Sequence, residues 1–286
     1  MSQVPGNSSS LLDAIFLSEK RKNILLLLKD GAKSSEEIKN AFDFPWKSMI
    51  PQIKKLVELG LVVQTEGMYS LSEIGTVIAT NMQFLLNTLK TYDENREFWS
   101  EHDLSSVPFH LLTRIGELGQ CRILKPDISQ IFKVQEDIVK HMLASSRIMV
   151  LVSAAHPTYH LACLEFIEKK IDVTVILTEP VFESIRVDCL SDTVFSDISV
   201  LKMDLSEYKK EIQLFLNCEN SHFFVSEGEK KPMMLIVTDK IFALSLLDKC
   251  GRVDRNYIVS FELSALKWGE ELFEYYKKNS RPVYSL

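Results

Sequence analysis

The sequence predicts an α/β protein (α+β overall) in two parts, and three patterns carry that reading. Residues 33–71 run as a short helix, a turn, a second helix and a two-stranded ribbon. A long stretch after Ser72 keeps a helical period. Beyond it, continuous apolar runs at 147–153 and 173–178 flank a helical segment, the pattern of parallel strands covered on both faces.

Taken in order, residues 1–10 read as a disordered leader. Residues 11–29 read as one support helix with Leu12, Ile15, Phe16, Ile24, Leu25 and Leu28 on its apolar side. Ser34 or Ser35 can N-cap the next helix, and Glu36 and Glu37 suit its positive end. Phe44-Pro45 ends the turn, with Pro45 at a helix start, where its missing N–H needs no partner. The second helix repeats Met49/Ile50, Ile53, Leu56, Val57 and Leu59, then stops at Gly60, a left-handed C-cap. Residues 61–63 and 69–71 pair as strands around Glu66-Gly67. Helix, turn, helix, ribbon is the order of a winged helix-turn-helix, whose second helix enters the DNA major groove. Residues 11–72 are therefore the expected DNA-binding domain.

Charge agrees with that assignment. Nine basic and six acidic residues lie between Ser18 and Thr65, a local balance of +3 within a chain of net charge −6. A basic module on an acidic chain fits local phosphate contact and argues against nucleic acid coating the whole surface. The expected reading face is Trp46, Lys47, Ser48, Gln52 and Lys55, with Lys54 beside it and Ser34 and Ser35 on the preceding helix. Gln can pair bidentately with adenine, and Lys can contact guanine or phosphate. Gln64, Thr65, Met68 and Tyr69 form the wing, where Glu66 at the tip opposes close backbone contact. Trp46 and Met49 also admit a core reading, and two helices with a hairpin also occur in domains that bind only protein.

Residues 73–108 form the expected linker and dimerisation segment. One helix from Ser72 to Trp99 would carry Ile78, Met82, Leu85, Leu89, Tyr92 and Trp99, with Arg96 as the polar member. That seam suits a homodimer, which paired reading helices need if they are to sit roughly 34 Å apart.

Residues 109–286 form the expected effector domain, for ligand sensing or oligomerisation. Helices are expected at 109–118, 127–144, 158–169, 182–187 and 264–278. Edge strands are expected at 200–203 and 222–225, a hairpin around Asp239-Lys240, and a last strand at 258–261. Ligands of open α/β sheets sit beyond the carboxyl ends of parallel strands. That nominates Ser153, His156, Tyr159, His160, Thr178, Glu179, Phe182 and Arg186, each with loop packing or capping as a competing role.

Several classes are excluded or disfavoured. No run of 18 apolar residues could span a membrane, and no secretory signal is visible. The five cysteines are odd in number, scattered and never in a Cys-x-x-Cys pair, so reduced thiols in a cytoplasm are expected, buried as small hydrophobes. There is no phosphate loop, Gly-x-Ser-x-Gly elbow or His-Glu-x-x-His. His156 and His160 lack a third ligand, so no metal and no cofactor is expected.

The chain from about Leu11 onward resembles a family of winged-helix regulators from methanogenic archaea, whose effector domain is named for control of filamentation and methanogenesis. The stretches carrying the likeness are SEKRKNILLLLKDG, MIPQIKKLVELGLVV, YSLSEIGTVIA, VILTEPVFE and SALKWGEELFEYY. The effector half also resembles the C-terminal domain of TrmB-type sugar-responsive regulators, a degenerate phospholipase-D-like fold. An active member of that fold needs His-x-Lys-x-x-x-x-Asp. Counting back from Asp239, the His position holds Pro232 and the Lys position Met234. The resemblance therefore implies a non-enzymatic, sequence-specific, double-stranded-DNA-binding regulator, dimeric, with a small-molecule effector as a further partner. The competing classes are a phosphodiesterase or nuclease tethered to DNA and a winged-helix protein-interaction module.

Overall fold

The computed structural model describes residues 8–125, 136–153, 159–190, 210, 213–227, 232 and 234–283, with the backbone alone at 8–10, 159–163 and 188–190. The chain divides into two compact units, Met1–Leu86 and Asn87–Leu286. The boundary falls inside a helix rather than in a loop.

The first unit contains α1 (Ser8–Phe16), α2 (Glu19–Leu28), β1 (Lys33–Ser34), α3 (Ser35–Asn40), α4 (Trp46–Glu58), β2 (Val62–Thr65), β3 (Met68–Leu71) and the start of α5 (Glu73–Glu94). The support helix is two helices, not one. Ser18 breaks it with an extended backbone, and its hydroxyl accepts from the Arg21 N–H at 3.4 Å. Helix already begins at Ser8, inside the expected leader; residues 1–7 lie outside the described residues. Ser34, rather than Ser35, caps α3. It forms a reciprocal capping box in which the Glu37 N–H donates to Ser34 Oγ (3.2 Å) and the Ser34 N–H to Glu37 Oε2 (2.7 Å). Pro45 is the N-cap of α4, one position before the expected one.

The sheet order is β1-β3-β2, all antiparallel. Glu66 and Gly67 have φ of 53° and 82°, the positive values that a two-residue hairpin turn needs at both central positions. Ile24, Leu25, Leu28, Ile38, Met49, Ile53, Leu56, Leu61, Ala79 and Met82 form one buried cluster. Ala79 and Met82 belong to α5, so this helix closes the core after the wing. Its first turn lies against the backbone that leads into β2: a Cβ at Gly75 would stand 2.0 Å from the Leu61 carbonyl oxygen. Ser72 ties the same corner, donating to the Gly60 carbonyl at 2.6 Å and accepting from the Gly75 N–H at 3.0 Å.

The expected long helix ends at Glu94. Beyond Asn95, the six-residue α6 (Arg96–Glu101) turns Phe98 and Trp99 into the second unit's core, where the Trp99 indole N–H donates to the Thr91 carbonyl at 3.1 Å. The expected helix at 109–118 is α7 (Phe109–Leu112) and a separate 3-10 turn at Ile115–Leu118. The elements that follow are β4 (Cys121–Leu124), α8 (Glu136–Leu143), β5 (Arg147–Val152), α9 (Tyr159–Glu168), β6 (Asp172–Thr178), α10 (Glu179–Leu190) and β7 (Ser221–Ser226). Then come β8 (Met234–Thr238), β9 (Phe242–Ser245), β10 (Tyr257–Ser260), α11 (Leu263–Lys278) and β11 (Ser280–Val283).

One eight-stranded sheet runs β11-β7-β6-β5-β8-β9-β10-β4. β5, β6 and β7 are parallel, and the remaining pairs are antiparallel. α8, α9 and α10 supply Ile138, Met142, Phe166, Val181 and Phe182 to one face, over Val150, Val175 and Ile236. α11 supplies Leu266, Trp268, Leu272 and Phe273 to the other, over Leu151, Ile176 and Val237. Both faces are thus covered, which is why β5 and β6 read as unbroken apolar runs.

Three expectations change here. β7 is not an edge strand, because β11 pairs outside it. α11 does not close the chain's secondary structure, and β10 is not the last strand. β4, whose four residues carry no strand period of their own, forms the edge beside β10. The strand expected at 200–203 and the start of the helix expected at 127–144 lie outside the described residues.

Candidate nucleic-acid interface

The core side of α4 is Met49, Ile53 and Leu56, all buried. Lys47, Pro51, Lys54, Lys55 and Glu58 are exposed opposite it. Pro51 lacks the N–H that would have bonded the Lys47 carbonyl, so the helix forgoes that one bond. Lys55 Nζ stands 3.2 Å from Glu58 Oε2, whereas no ion pair involves Lys47 or Lys54 among the described residues.

The expected reading face does not lie as one exposed strip. Trp46 is half-buried against the core cluster. Ser48 and Gln52 are half-buried on the flank that faces α2. Lys20 Nζ donates to Ser48 Oγ at 2.8 Å and lies 5.2 Å above the Phe44 ring, while Ser48 Oγ donates to the Pro45 carbonyl at 2.7 Å. Arg21 Nη1 donates to Gln52 Oε1 at 2.9 Å, and its Nε donates to the Ala14 carbonyl. Lys20 and Arg21 are thus part of this surface, although the sequence reading counted them only as charge. Ser34 is occupied by its capping box, and Ser35 is half-buried as the first residue of α3.

In the wing, Gln64 and Thr65 are exposed and face Tyr69 and Met68 across the hairpin. Met68 is exposed. Tyr69 is partly buried against the core cluster, which leaves it less available than expected.

The α5 seam is also rotated from its expected line. Met82 is buried and Ile78 packs against the same cluster. Of the expected seam, Leu85, Leu89 and Tyr92 are exposed, and Ile74, Val77 and Phe84 join them on the same side of the helix.

In the second unit, the carboxyl ends of β5 and β6 bring Ser153 and Thr178 level, next to Ser226 on β7. Ser153 Oγ donates to the Pro232 carbonyl at 2.7 Å. The Thr178 hydroxyl is buried and has no hydrogen-bond partner among the described residues. Glu179 accepts from Arg281 at 2.8 and 3.1 Å, and the same guanidinium lies 5.4 Å above the Phe182 ring. Arg281 had no motif to mark it; β11 alone brings it here. Arg186 is committed to Glu183 at 2.6 and 3.0 Å, which raises its pKa further. His156 lies outside the described residues, and Tyr159 and His160 are placed in α9 by backbone only.

The motif positions noted earlier are occupied structurally. Met234 pairs with Val152 at the strand end, and its sulfur accepts from the Tyr257 hydroxyl at 3.1 Å; burial pushes that phenol up to about 12. Asp239 stands in the β8–β9 turn and accepts from the Ser146 N–H (3.1 Å) and hydroxyl (3.2 Å). Among the described residues no group of His, Cys, Asp and Glu could hold a metal.

Among the described side chains no cysteine is fully buried as expected: Cys250 is exposed, and Cys121 and Cys218 are half-buried. Burial pushes the Cys121 thiol up to about 12. No helix among the described residues is long and apolar enough to cross a membrane.

Comparison with known proteins places this architecture. The family described as "Methanogenesis regulatory protein FilR1, middle domain" matches residues 131–194 and 190–279. Its N-terminal-domain counterpart matches residues 10–90. The chain belongs to this FilR1 family. A curated relative, "Methanogenesis regulatory protein FilR1" of Methanothrix harundinacea (strain 6Ac), is 23% identical over 267 residues, covering 93% of this chain and 56% of the relative. The chain thus spans little more than half the relative's length. Among solved structures, that of TrmBL2, described as an archaeal chromatin protein with a novel mode of DNA binding, gives a TM-score of 0.38 at 12% identity, covering 96% of this chain and 98% of that one. NucT from Helicobacter pylori gives 0.38 at 9%, covering 57% and 99%. Those scores fall below what a shared fold requires. The two FilR1-family matches fall one mainly in each compact unit.

Proposed function

We propose that this FilR1-family chain is a transcription regulator that binds double-stranded DNA as a homodimer and carries a non-catalytic effector unit. The observation that carries the reading is the outward side of α4. Lys47 and Lys54 are exposed there with no ion-pair partner among the described residues, beside a hairpin wing, on a unit more basic than the rest of the chain. Such a surface meets phosphates by releasing their counterions. The exposed stripe on α5 supports dimerisation: Ile74, Val77, Phe84, Leu85, Leu89 and Tyr92 give the apolar seam that a second copy of the helix would cover. Pro232 and Met234 at the phosphodiesterase positions support a unit without that chemistry. The orphan Thr178 hydroxyl at the sheet end supports a polar small-molecule effector there, with Ser153 and Glu179 nearby.

Binding of genomic duplex fragments, compared with single strands and measured with light scattering for mass, tests the reading. The expected result is a dimer with duplex preference that weakens in Lys47→Ala/Lys54→Ala. A monomer, or a double variant with undiminished affinity, would count against it.

A further inference from the structure

The contact between α2 and α4 decides which base Gln52 can read. This inference rests on the DNA-binding reading above and makes it specific. A guanidinium only donates hydrogen bonds and cannot accept one. The Arg21 Nη1 contact at 2.9 Å therefore fixes the Gln52 amide, with Oε1 toward Arg21 and the NH2 group turned away. Arg21 is itself anchored, because its Nε donates to the Ala14 carbonyl. The neighbouring Lys20–Ser48 contact at 2.8 Å holds the same two helices together one turn earlier on α4.

A freely rotating Gln offers one donor and one acceptor, which matches the N7 and N6–H2 pair of adenine. Gln52 is not free. With one lone pair of Oε1 taken by Arg21, donors dominate what the pair offers: the Gln52 NH2 and the remaining guanidinium N–H groups. The base edge that offers two acceptors and no donor in the major groove is guanine, through O6 and N7. We propose that Arg21 and Gln52 act as one donor-presenting reading unit for a guanine, with Arg21, from outside the recognition helix, as a specificity-determining residue.

The test is selection of full-length protein on a randomised duplex library at one fixed salt concentration, with each variant's thermal melting as a folding control. Wild type should enrich guanine at the position whose preference depends on Gln52, with discrimination of about 5- to 150-fold, the range of one bidentate contact. Arg21→Met releases the amide and should move that preference toward adenine. Gln52→Glu keeps the pairing with Arg21, so the fold survives, but replaces the outward donor by an acceptor. It should weaken the guanine preference, with the guanidinium N–H groups still in place, and raise acceptance of cytosine, whose N4–H2 donates. Wild-type selection of adenine at that position, or an undiminished guanine preference in Gln52→Glu, would overturn the shared reading unit while leaving DNA binding intact. No enrichment of any duplex would instead remove the regulator reading beneath it.

Discussion

Glu58→Gln is the sharpest perturbation of the α4 surface, because it adds no contact and removes one charge. In the free protein Glu58 Oε2 lies 3.2 Å from Lys55 Nζ, with side-chain exposures of 65% and 48%. A pair so exposed contributes well under about 1 kcal/mol to stability, so its loss should leave the melting temperature almost unchanged. Its effect on DNA should be larger. The carboxylate both occupies Lys55 and repels phosphate from the side of α4 that carries Lys47 and Lys54. If Lys55 regains one phosphate, the slope of log K against log salt steepens by about 0.9. Over a fourfold rise in salt, that slope corresponds to about 3.5-fold additional loss of affinity. Lys47→Ala and Lys54→Ala should each flatten the slope by the same amount, whereas Lys55→Ala should flatten it less. Fluorescence anisotropy on one labelled duplex, titrated from roughly 50 to 200 mM salt, measures all four. Slopes identical to wild type in Glu58→Gln, Lys47→Ala and Lys54→Ala together would refute phosphate contact by this face.

Three further outcomes follow from the geometry. Gly75→Ala places a Cβ 2.0 Å from the Leu61 carbonyl oxygen, where backbone must move; the first unit should lose about 1–3 kcal/mol in a urea titration followed by circular dichroism. Hydrogen bonds from Arg114 hold Glu271 below the usual carboxylate range, at 2.7 and 2.9 Å. A depressed folded pKa adds stability that is complete above the unfolded carboxylate value of about 4.5 and disappears as pH falls through the lower folded value. Arg114→Met should therefore lower stability near neutrality by less than about 1 kcal/mol, given the exposure of the pair, and this deficit should vanish in acid melts. Iodoacetamide near pH 8 should label the exposed Cys250 well before Cys121, whose thiol at about 12 leaves on the order of one thiolate in ten thousand; mass spectrometry of early time points distinguishes them.

The first unit shows how far local pattern reaches and where it stops. Met49, Ile53 and Leu56 repeat at helical spacing, so their common buried side was readable in advance. The turn was readable from Gly67, which takes positive φ at no steric cost, whereas nothing in the residue type marked the φ of 53° at Glu66. The break at Ser18 was not, because an apolar period continues across it and only a cap bond to Arg21 interrupts the helix. Nor could spacing tell that Ser48 and Gln52 meet Lys20 and Arg21, residues 28 and 31 positions away in sequence.

The second unit repeats the contrast. Two apolar runs around a helix specified the parallel β5 and β6, since a strand buried on both faces has no polar alternation to hide it. β4 and β11 are short edge strands with mixed burial, so they carry little period of their own. Residue types and their spacing were enough for the winged helix and the covered sheet, and the resemblance of particular stretches for the family. Pairing between distant segments decided the rest: that α5 buries Met82 and exposes Leu85, that Arg281 reaches Glu179, and that Gln52 has its oxygen turned inward. Those outcomes depend on which side chains tertiary contact brings within about 3 Å, and hydrogen-bond direction has no periodic trace in a sequence.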